Sequence, residues 1–438
     1  MSSRIPGFYR LHPRDRLSQI ELRTGVNAVD LEAFSQDALK LDVADLMIEN
    51  VIGTFGLPIG IGVNFVINGR EVMVPMVVEE PSVVAAVSNM AKLTRQCGGF
   101  TATAESSMMI GQIQLMPCGD SQATAQAIRD AIPELLKIGV GVHPRLEERG
   151  GGLKEIEVRI VNYDEPGESP EAWVVVHLIV DCVDAMGANI VNTLAERLAP
   201  YIQRIAGVRV GLKILSNLAD KRIATASVKI TPNLLDQDEV EGGEVARRIT
   251  SAYRFAWADP YRAATHNKGI MNGIDPVAIA TGNDWRAIEA GAHAFASRDG
   301  QYRSLSTWKV DRDGALCGSI SLPIQVGVVG GPIRVHPTVQ SNIKLMGIST
   351  ARELAEIMAA VGLAQNLGAL KALATEGIQK GHMRMHARSV AATAGATQKN
   401  VIEVARLLCE SNDFSISKAK AILLDIEKAK SGTPASSE

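Results

Sequence analysis

The spacing of apolar residues changes along this chain, and that change constrains the fold more than any single motif. Between about 107 and 217 the pattern alternates in the manner of strands. Ile156, Val158 and Ile160 interleave with charged residues, as in a half-buried strand. Residues 173–180 form a continuous apolar run, as in a strand buried on both faces. The spacing predicts a helix from Met186 to Ile205, after which Val208, Val210, Leu212 and Ile214 alternate again. This order implies a compact α+β insert. From 242 onward the chain reads as mostly helical. Leu354, Ile357, Met358, Val361, Ala364 and Leu367 make a core-facing stripe at i, i+3, i+4, i+7 spacing.

The N-terminal third mixes both patterns. Residues 27–53 read as one helix, with Leu31, Phe34, Leu39, Leu41, Val43, Leu46, Met47 and Val51 on its apolar face and Gly53 and Pro58 closing it. Residues 63–78 read as a hairpin turning at Asn68-Gly69. Pro81-Ser82 then starts a helix through Leu93. The end, 431–438, is small and polar and is expected to fray.

The 438 residues allow about two to four domains. A net charge of -3 supplies no overall field for a nucleic-acid backbone, so no nucleic-acid partner is expected, although local basic clusters could still bind a small phosphorylated ligand. Cys97, Cys118, Cys182, Cys317 and Cys409 are odd in number, widely spaced and without a CxxC pair. They read as reduced thiols of a cytoplasmic protein. Residues 1–16 carry Arg4, Arg10, Arg14 and Arg16 and no apolar run, so no secretory signal is read there. The longest apolar run noted, Trp173 to Val180, is too short for a bilayer, and no membrane association is expected.

Common nucleotide signatures are missing. Gly60-Ile-Gly62 and Gly139-Val-Gly141 lack the third glycine of a dinucleotide fingerprint, and no Walker A sequence occurs. The triple glycine 150–152 and Gly330-Gly331 read as tight turns. His382 and His386 would share a helix face, which suits a metal pair. Met383 stands where HExxH needs glutamate and no third ligand is in view, so no metal is expected. The segment Asp259 to Ile274 sets Arg262, Lys268 and Asn272 among small residues, with Asp284 shortly after. It is either a polar surface loop or a site in which a held lysine stabilises a developing oxyanion. Glu79-Glu80-Pro81 follows an apolar run: a solvated turn, or a carboxyl whose partial burial suits general-acid work.

Taken together, several segments resemble one family. They are Glu49 to Gly53, Glu79 to Ser82, Asp184 to Asn189, Arg262 to Asn272, Gly282 to Trp285 and Ala374 to His382. In this order they resemble the class II, bacterial and archaeal 3-hydroxy-3-methylglutaryl-CoA reductases, and the likeness runs from Arg4 to the last helices. The resemblance implies an α+β fold. A large, mainly helical domain (1–106 and 218–376) would bind the CoA thioester and dimerise. An inserted ferredoxin-like domain (107–217) would bind the nicotinamide cofactor. A mobile C-terminal flap (377–431) and a disordered tail (432–438) would follow. It also implies a homodimer or an assembly of dimers with interfacial active sites, the Glu49 to Gly53 motif forming part of the contact.

The implied reaction is the four-electron reduction of the thioester to mevalonate and CoA with two nicotinamide hydrides, in isoprenoid biosynthesis. Lys268 would stabilise the oxyanion, Asp284 would orient Lys268, His382 would protonate the departing CoA thiolate, and Glu80 would donate a proton in the second reduction. Ser82, Asn217, Arg262 and Asn272 match positions that hold the acyl portion, and Arg10 and His386 match positions near the CoA phosphates. Asp184, Ala185, Met186, Gly187, Ala188 and Asn189 match the dinucleotide-binding turn. Members preferring NADH carry an aspartate seven positions before the triple glycine, where this chain has His143, followed by Arg145. His and Arg accommodate a 2′-phosphate that an acid would repel, so NADPH is favoured over NADH. Three rivals remain: the same chemistry run oxidatively with NAD, a non-catalytic CoA- or nucleotide-binding protein, and a metal-dependent hydrolase.

Overall fold

The computed structural model describes residues 2–34, 39–237, 240–375, 377–397 and 400–431, with the side chains of 28, 332, 378–385 and 429–431 left outside that description. The expected tail, 432–438, therefore falls outside the described residues. The chain opens with α1 (Pro13–Thr24), α2 (Ala28–Glu32) and α3 (Leu41–Asp45). The single helix expected over 27–53 does not form. Leu46, Ile48 and Ile52 are 83%, 65% and 100% exposed. Helices this short gain little from cooperativity unless one face packs on something; Leu31 and Phe34 pack near Ile20 and Met73, whereas among the described residues Leu46, Ile48 and Ile52 face outward.

Hairpin β1 (Ile59–Ile67) and β2 (Arg70–Val77) follows as expected. Asn68 and Gly69 both take positive φ, 52° and 74°, which a two-residue hairpin turn matching the strand twist requires. Helix α4 (Val83–Thr94) and strand β3 (Thr101–Thr103) complete this part.

The insert comprises β4 (Met108–Leu115), α5 (Ser121–Asp130), α6 (Ile132–Gly139), α7 (Pro144–Glu147), β5 (Gly152–Tyr163), β6 (Glu171–Asp181), α8 (Ala188–Ala206) and β7 (Val210–Ser216). Its sheet runs β5-β6-β4-β7, with every neighbouring pair antiparallel. Strand β6 is central and buried from Val174 to Val180, which accounts for its apolar run, interrupted only by His177. Met109, Ile113, Val176, Leu178, Leu194 and Leu198 form a core belonging to this unit.

The chain then returns as β8 (Ile223–Ile230), α9 (Gly242–Ala258), α10 (Pro260–Ala280), α11 (Trp285–Ala296), β9 (Ser306–Val310), β10 (Leu316–Pro323), α12 (Gly331–Val335), α13 (Pro337–Met346) and α14 (Ala351–Ala374). The stretch after 242 is thus not wholly helical: β9 and β10 join an antiparallel sheet of order β3-β8-β10-β9. The largest core gathers around α10 and α14, with Phe65, Phe100, Met271, Ile274, Trp308 and Val361 among its residues. A Cβ on Gly273 would lie 2.8 Å from the Val361 carbonyl oxygen, so the two helices meet almost backbone to backbone. Helix α14 is the one described helix long and apolar enough to cross a membrane. Of its most apolar 18-residue window, 67% is buried within the structure, and it serves as the central core helix. Finally α15 (Ile378–Thr393), α16 (Val401–Ser411) and α17 (Ile416–Ser431) share a separate core that includes Ala387, Val404, Leu408 and Ile422.

Candidate active site

Helix α10 carries the polar segment singled out in the sequence. The Asp259 carboxylate caps it, accepting from the Tyr261 and Arg262 backbone N–H groups at 3.3 Å, and Pro260 presets its first turn. The segment is therefore helical and not a loop. Lys268, Asn272 and Asp275 fall at i, i+4 and i+7 and so share one face. Opposite them, Glu80 sits in the turn between β2 and α4. Lys268 Nζ donates to Glu80 Oε2 at 2.8 Å, and Asn272 Nδ2 donates to the same oxygen at 3.3 Å. Glu80 is thus a held carboxylate. The Lys268 side chain stays 61% exposed, not confined as its sequence context suggested.

Glu80, Asn272, Asp275 and Asp284 line one cavity of about 920 Å³. Asp284 caps α11, its Oδ1 accepting from Ala287 N at 3.1 Å, and lies 3.5 Å from Arg286 Nε. Among the described residues no ion pair joins Asp284 to Lys268; the lysine's ion-pair partner there is Glu80. Beneath this rim Asp275 lies beside Glu289. Burial, reinforced by the neighbouring Glu289 charge, pushes the Asp275 carboxyl up to about 8, so it holds a proton at neutral pH. Ser82 precedes α4 at φ 78°, a strained conformation for a non-glycine residue, and its buried Oγ has no hydrogen-bond partner among the described residues. His266, on the buried side of α10, accepts or donates at Nε2 with Ser306 Oγ at 2.7 Å and Asn366 Nδ2 at 3.1 Å. Burial, with Arg262 adding to it, lowers its pKa to about 3 and keeps it neutral.

The turn 184–189 links β6 to α8. Gly187 caps the helix at φ 109°, and a Cβ there would lie 2.4 Å from Cys182 Sγ, so both conformation and space demand glycine. Among the described residues no side chain caps α8, which leaves its first-turn N–H groups available. Asp184 is tied on both oxygens, to Arg149 at 2.5 Å and to the Ala351 backbone N–H at 3.1 Å. His143 also belongs to this corner, its Nε2 lying 3.0 Å from the Ile190 carbonyl oxygen in the first turn of α8.

Residues 12–387 match the family model described as hydroxymethylglutaryl-coenzyme A reductase. The chain belongs to that family. Its activity is the family's NAD(P)H-dependent oxidoreductase reaction on hydroxymethylglutaryl-CoA. The chain is 48% identical over 423 residues to the 3-hydroxy-3-methylglutaryl-coenzyme A reductase of Archaeoglobus fulgidus, covering 97% of this chain and 94% of the relative. It is 35% identical over 396 residues to a probable reductase of Borreliella burgdorferi, covering 87% and 88% of the two chains. Among solved structures, a reductase from Streptococcus pneumoniae aligns with TM-score 0.81 at 41% identity, covering 96% of this chain and 99% of that one. A class II reductase from the same organism, bound to NADPH in open conformations, aligns with TM-score 0.80 at 42% identity, covering 84% and 99%. The chain resembles class II reductases throughout.

Among the described residues, no hydrogen bond or ion pair joins the other residues singled out in the sequence to the Glu80–Lys268 pair. Arg262 is half-buried on α10, with burial lowering its pKa. Arg10 is exposed and bonds the Tyr9 hydroxyl at 3.0 Å. Asn217 is exposed, and its carbonyl oxygen accepts from Gln325 at 3.1 Å. Arg145 and Asn189 are exposed, while Ala188 is half-buried in the first turn of α8. His386 is exposed on α15; the His382 side chain lies outside the described residues, so the pair cannot be placed against one another. Among the described residues no group of three or more His, Cys, Asp or Glu is placed to hold a metal. Sequence reasoning overlooked Asp275, Glu289, Arg222 and Asn283. Asp275 carried a usable signal, because it continues the Lys268–Asn272 face by one helical step; Arg222, in a charged turn, carried none.

Proposed function

We propose that Glu80, Lys268, Asp284 and His382 carry out the reduction of hydroxymethylglutaryl-CoA to mevalonate and CoA. The supporting observation is the Lys268–Glu80–Asn272 cluster at the rim of a cavity that Asp284 also lines. A bound nicotinamide supplies a hydride in each of two successive reductions. Lys268 stabilises the oxyanion formed on the thioester carbonyl. His382 protonates the departing CoA thiolate. Glu80, already bonded to Lys268, passes a proton to the aldehyde oxygen in the second reduction. Asp284, which caps α11 and lines the same cavity, orients Lys268 and tunes this cluster. Ser82, Arg262, Asn272 and Asn217 hold the acyl portion, and Arg10 and His386 the CoA phosphates.

We assign nicotinamide binding to 184–189 in a ferredoxin-like domain, 107–217. The β-α-β-β-α-β order and all-antiparallel sheet favour that assignment. So do the uncapped first-turn N–H groups of α8, which suit a pyrophosphate. His143 beside Ile190, with Arg145, makes NADPH the preferred cofactor. The rest of the proposed division is 1–106 with 218–376 as the substrate domain and 377–431 as a flap with its own core. Exposed Leu46, Ile48, Ile52 and Phe55 favour a homodimer formed through this region. Five free cysteines accord with a cytoplasmic setting. The test follows loss of reduced-nicotinamide absorbance with hydroxymethylglutaryl-CoA and NADPH or NADH in turn. NADPH turnover should exceed NADH turnover. A tenfold preference for NADH, about 1.4 kcal/mol, would overturn the role given to His143.

A further inference from the structure

Arg222, immediately before β8, is 4% exposed, yet among the described residues no ion pair involves it. Its guanidinium instead donates to three backbone carbonyls. One terminal nitrogen reaches Ala185 O and Met186 O, both at 3.1 Å, and the other reaches Val326 O at 2.6 Å. A buried guanidinium is costly unless its donors are satisfied. Here satisfaction requires the 184–189 turn and the segment after β10 to stay side by side.

That second segment is tied equally firmly to the active-site loop. Asn283 Oδ1 accepts from Gly327 N at 2.8 Å, and Asn283 Nδ2 donates to Gly327 O at 3.1 Å. Gln325 Nε2 donates to Ala287 O at 2.6 Å and to Asn217 O at 3.1 Å. Val328 N closes the loop by donating to Asp184 O at 2.9 Å. Gly327 fits against the turn with no room to spare: a Cβ would lie 2.6 Å from Met186 N and 3.1 Å from Asp184 O.

We infer that Arg222 and Gly327 are positioning residues that clamp the 184–189 turn in register with the Asn283–Asp284 loop, so that a hydride donor bound on one side is set against the carbonyl held on the other. The inference rests on the assignment of 184–189 as the nicotinamide turn. Neither residue touches the reacting atoms.

The test uses the full-length chain in three variants: Arg222→Lys, Gly327→Ala and Asn189→Glu. Each is assayed for kcat, for KM toward NADPH, NADH and hydroxymethylglutaryl-CoA, and for thermal midpoint. Asn189→Glu places a charge in the exposed first turn of α8, where a pyrophosphate would be repelled. Arg222→Lys, by losing one or two charge-assisted bonds, and Gly327→Ala, by pushing a Cβ against the turn, should each raise the reduced-cofactor KM or lower kcat about tenfold. The thioester KM should stay within about twofold and the fold should survive at the assay temperature. A thioester KM that rises as much as the cofactor KM, or no loss in either kcat or cofactor KM in the folded variants, would overturn the clamp. Should Arg222→Lys fail to fold, Gly327→Ala decides alone, since it displaces the turn while leaving the buried guanidinium in place. Unchanged cofactor KM in Asn189→Glu would instead overturn the assignment of the turn.

Discussion

Replacing Asp275 by asparagine should make the protein more stable at neutral pH, by an amount that grows with pH. In the folded chain burial and Glu289 raise this carboxyl from 3.8 to about 8. The unfolded chain releases the proton near the lower value. A raised folded pKa gives a contribution that is intact below 3.8 and is lost as pH rises towards about 8. Within that window one proton separates the two states, so this group costs about 1.4 kcal/mol of stability per pH unit. From about pH 5 to about pH 7 the loss has a ceiling of about 3 kcal/mol, which water reaching the half-buried pair will reduce. The asparagine amide can still donate to Glu289 and needs no proton to do so. Urea unfolding of both proteins, at one protein concentration and a series of pH values, reads the difference directly. The gap in unfolding free energy should widen steadily with pH. Parallel curves, or a gap that narrows, would refute the shared-proton account.

Lys268→Ala should lower kcat about a hundred- to a thousand-fold, as when one oxyanion donor is removed, with thioester binding retained in a calorimetric titration. Unchanged turnover would end its assigned role. Gly318→Ala should destabilise the sheet by about 1–3 kcal/mol, because the added Cβ falls 2.2 Å from the buried Trp308 ring. Tryptophan fluorescence during denaturation measures this. His266, lowered to about 3 by burial, makes the opposite contribution to Asp275. Below its ordinary 6.5 the unfolded chain binds a proton that the folded chain refuses, so stability falls as pH drops from 6.5 towards about 3. His266→Gln should flatten that acid limb in the same unfolding series; an unchanged limb would count against a neutral His266.

Much of the insert was legible in the sequence because period-2 and period-3.6 spacing separate cleanly where one face is buried. The β5 alternation, the β6 run and the α8 helix all stand where the pattern set them. Residues 27–53 misled for the same reason. Their apolar residues follow helical spacing, but Leu46 and Ile52 face outward, and spacing cannot say whether a face has anything to pack on. Strand β10 was missed although Leu316, Ile320 and Leu322 alternate, since it lies among long helices. Glu80 and Lys268 are 188 positions apart, so local pattern could propose each but never pair them. Only the family resemblance joined them before the fold did. Arg222 illustrates the remaining gap: its partners are backbone carbonyls, and those leave no trace in residue type.

Helix α14 acts as a ruler. Its first N–H holds the Asp184 carboxylate, and its last turn runs to the root of α15. Twenty-four residues at 1.5 Å each set those two points about 36 Å apart. Adding or deleting one residue would also rotate everything beyond it by about 100°. Length variation among relatives should therefore collect in loops such as 164–170, between β5 and β6, and avoid 351–374. An aligned set of family members with insertions inside that helix would mean that the spacing it sets is not under selection.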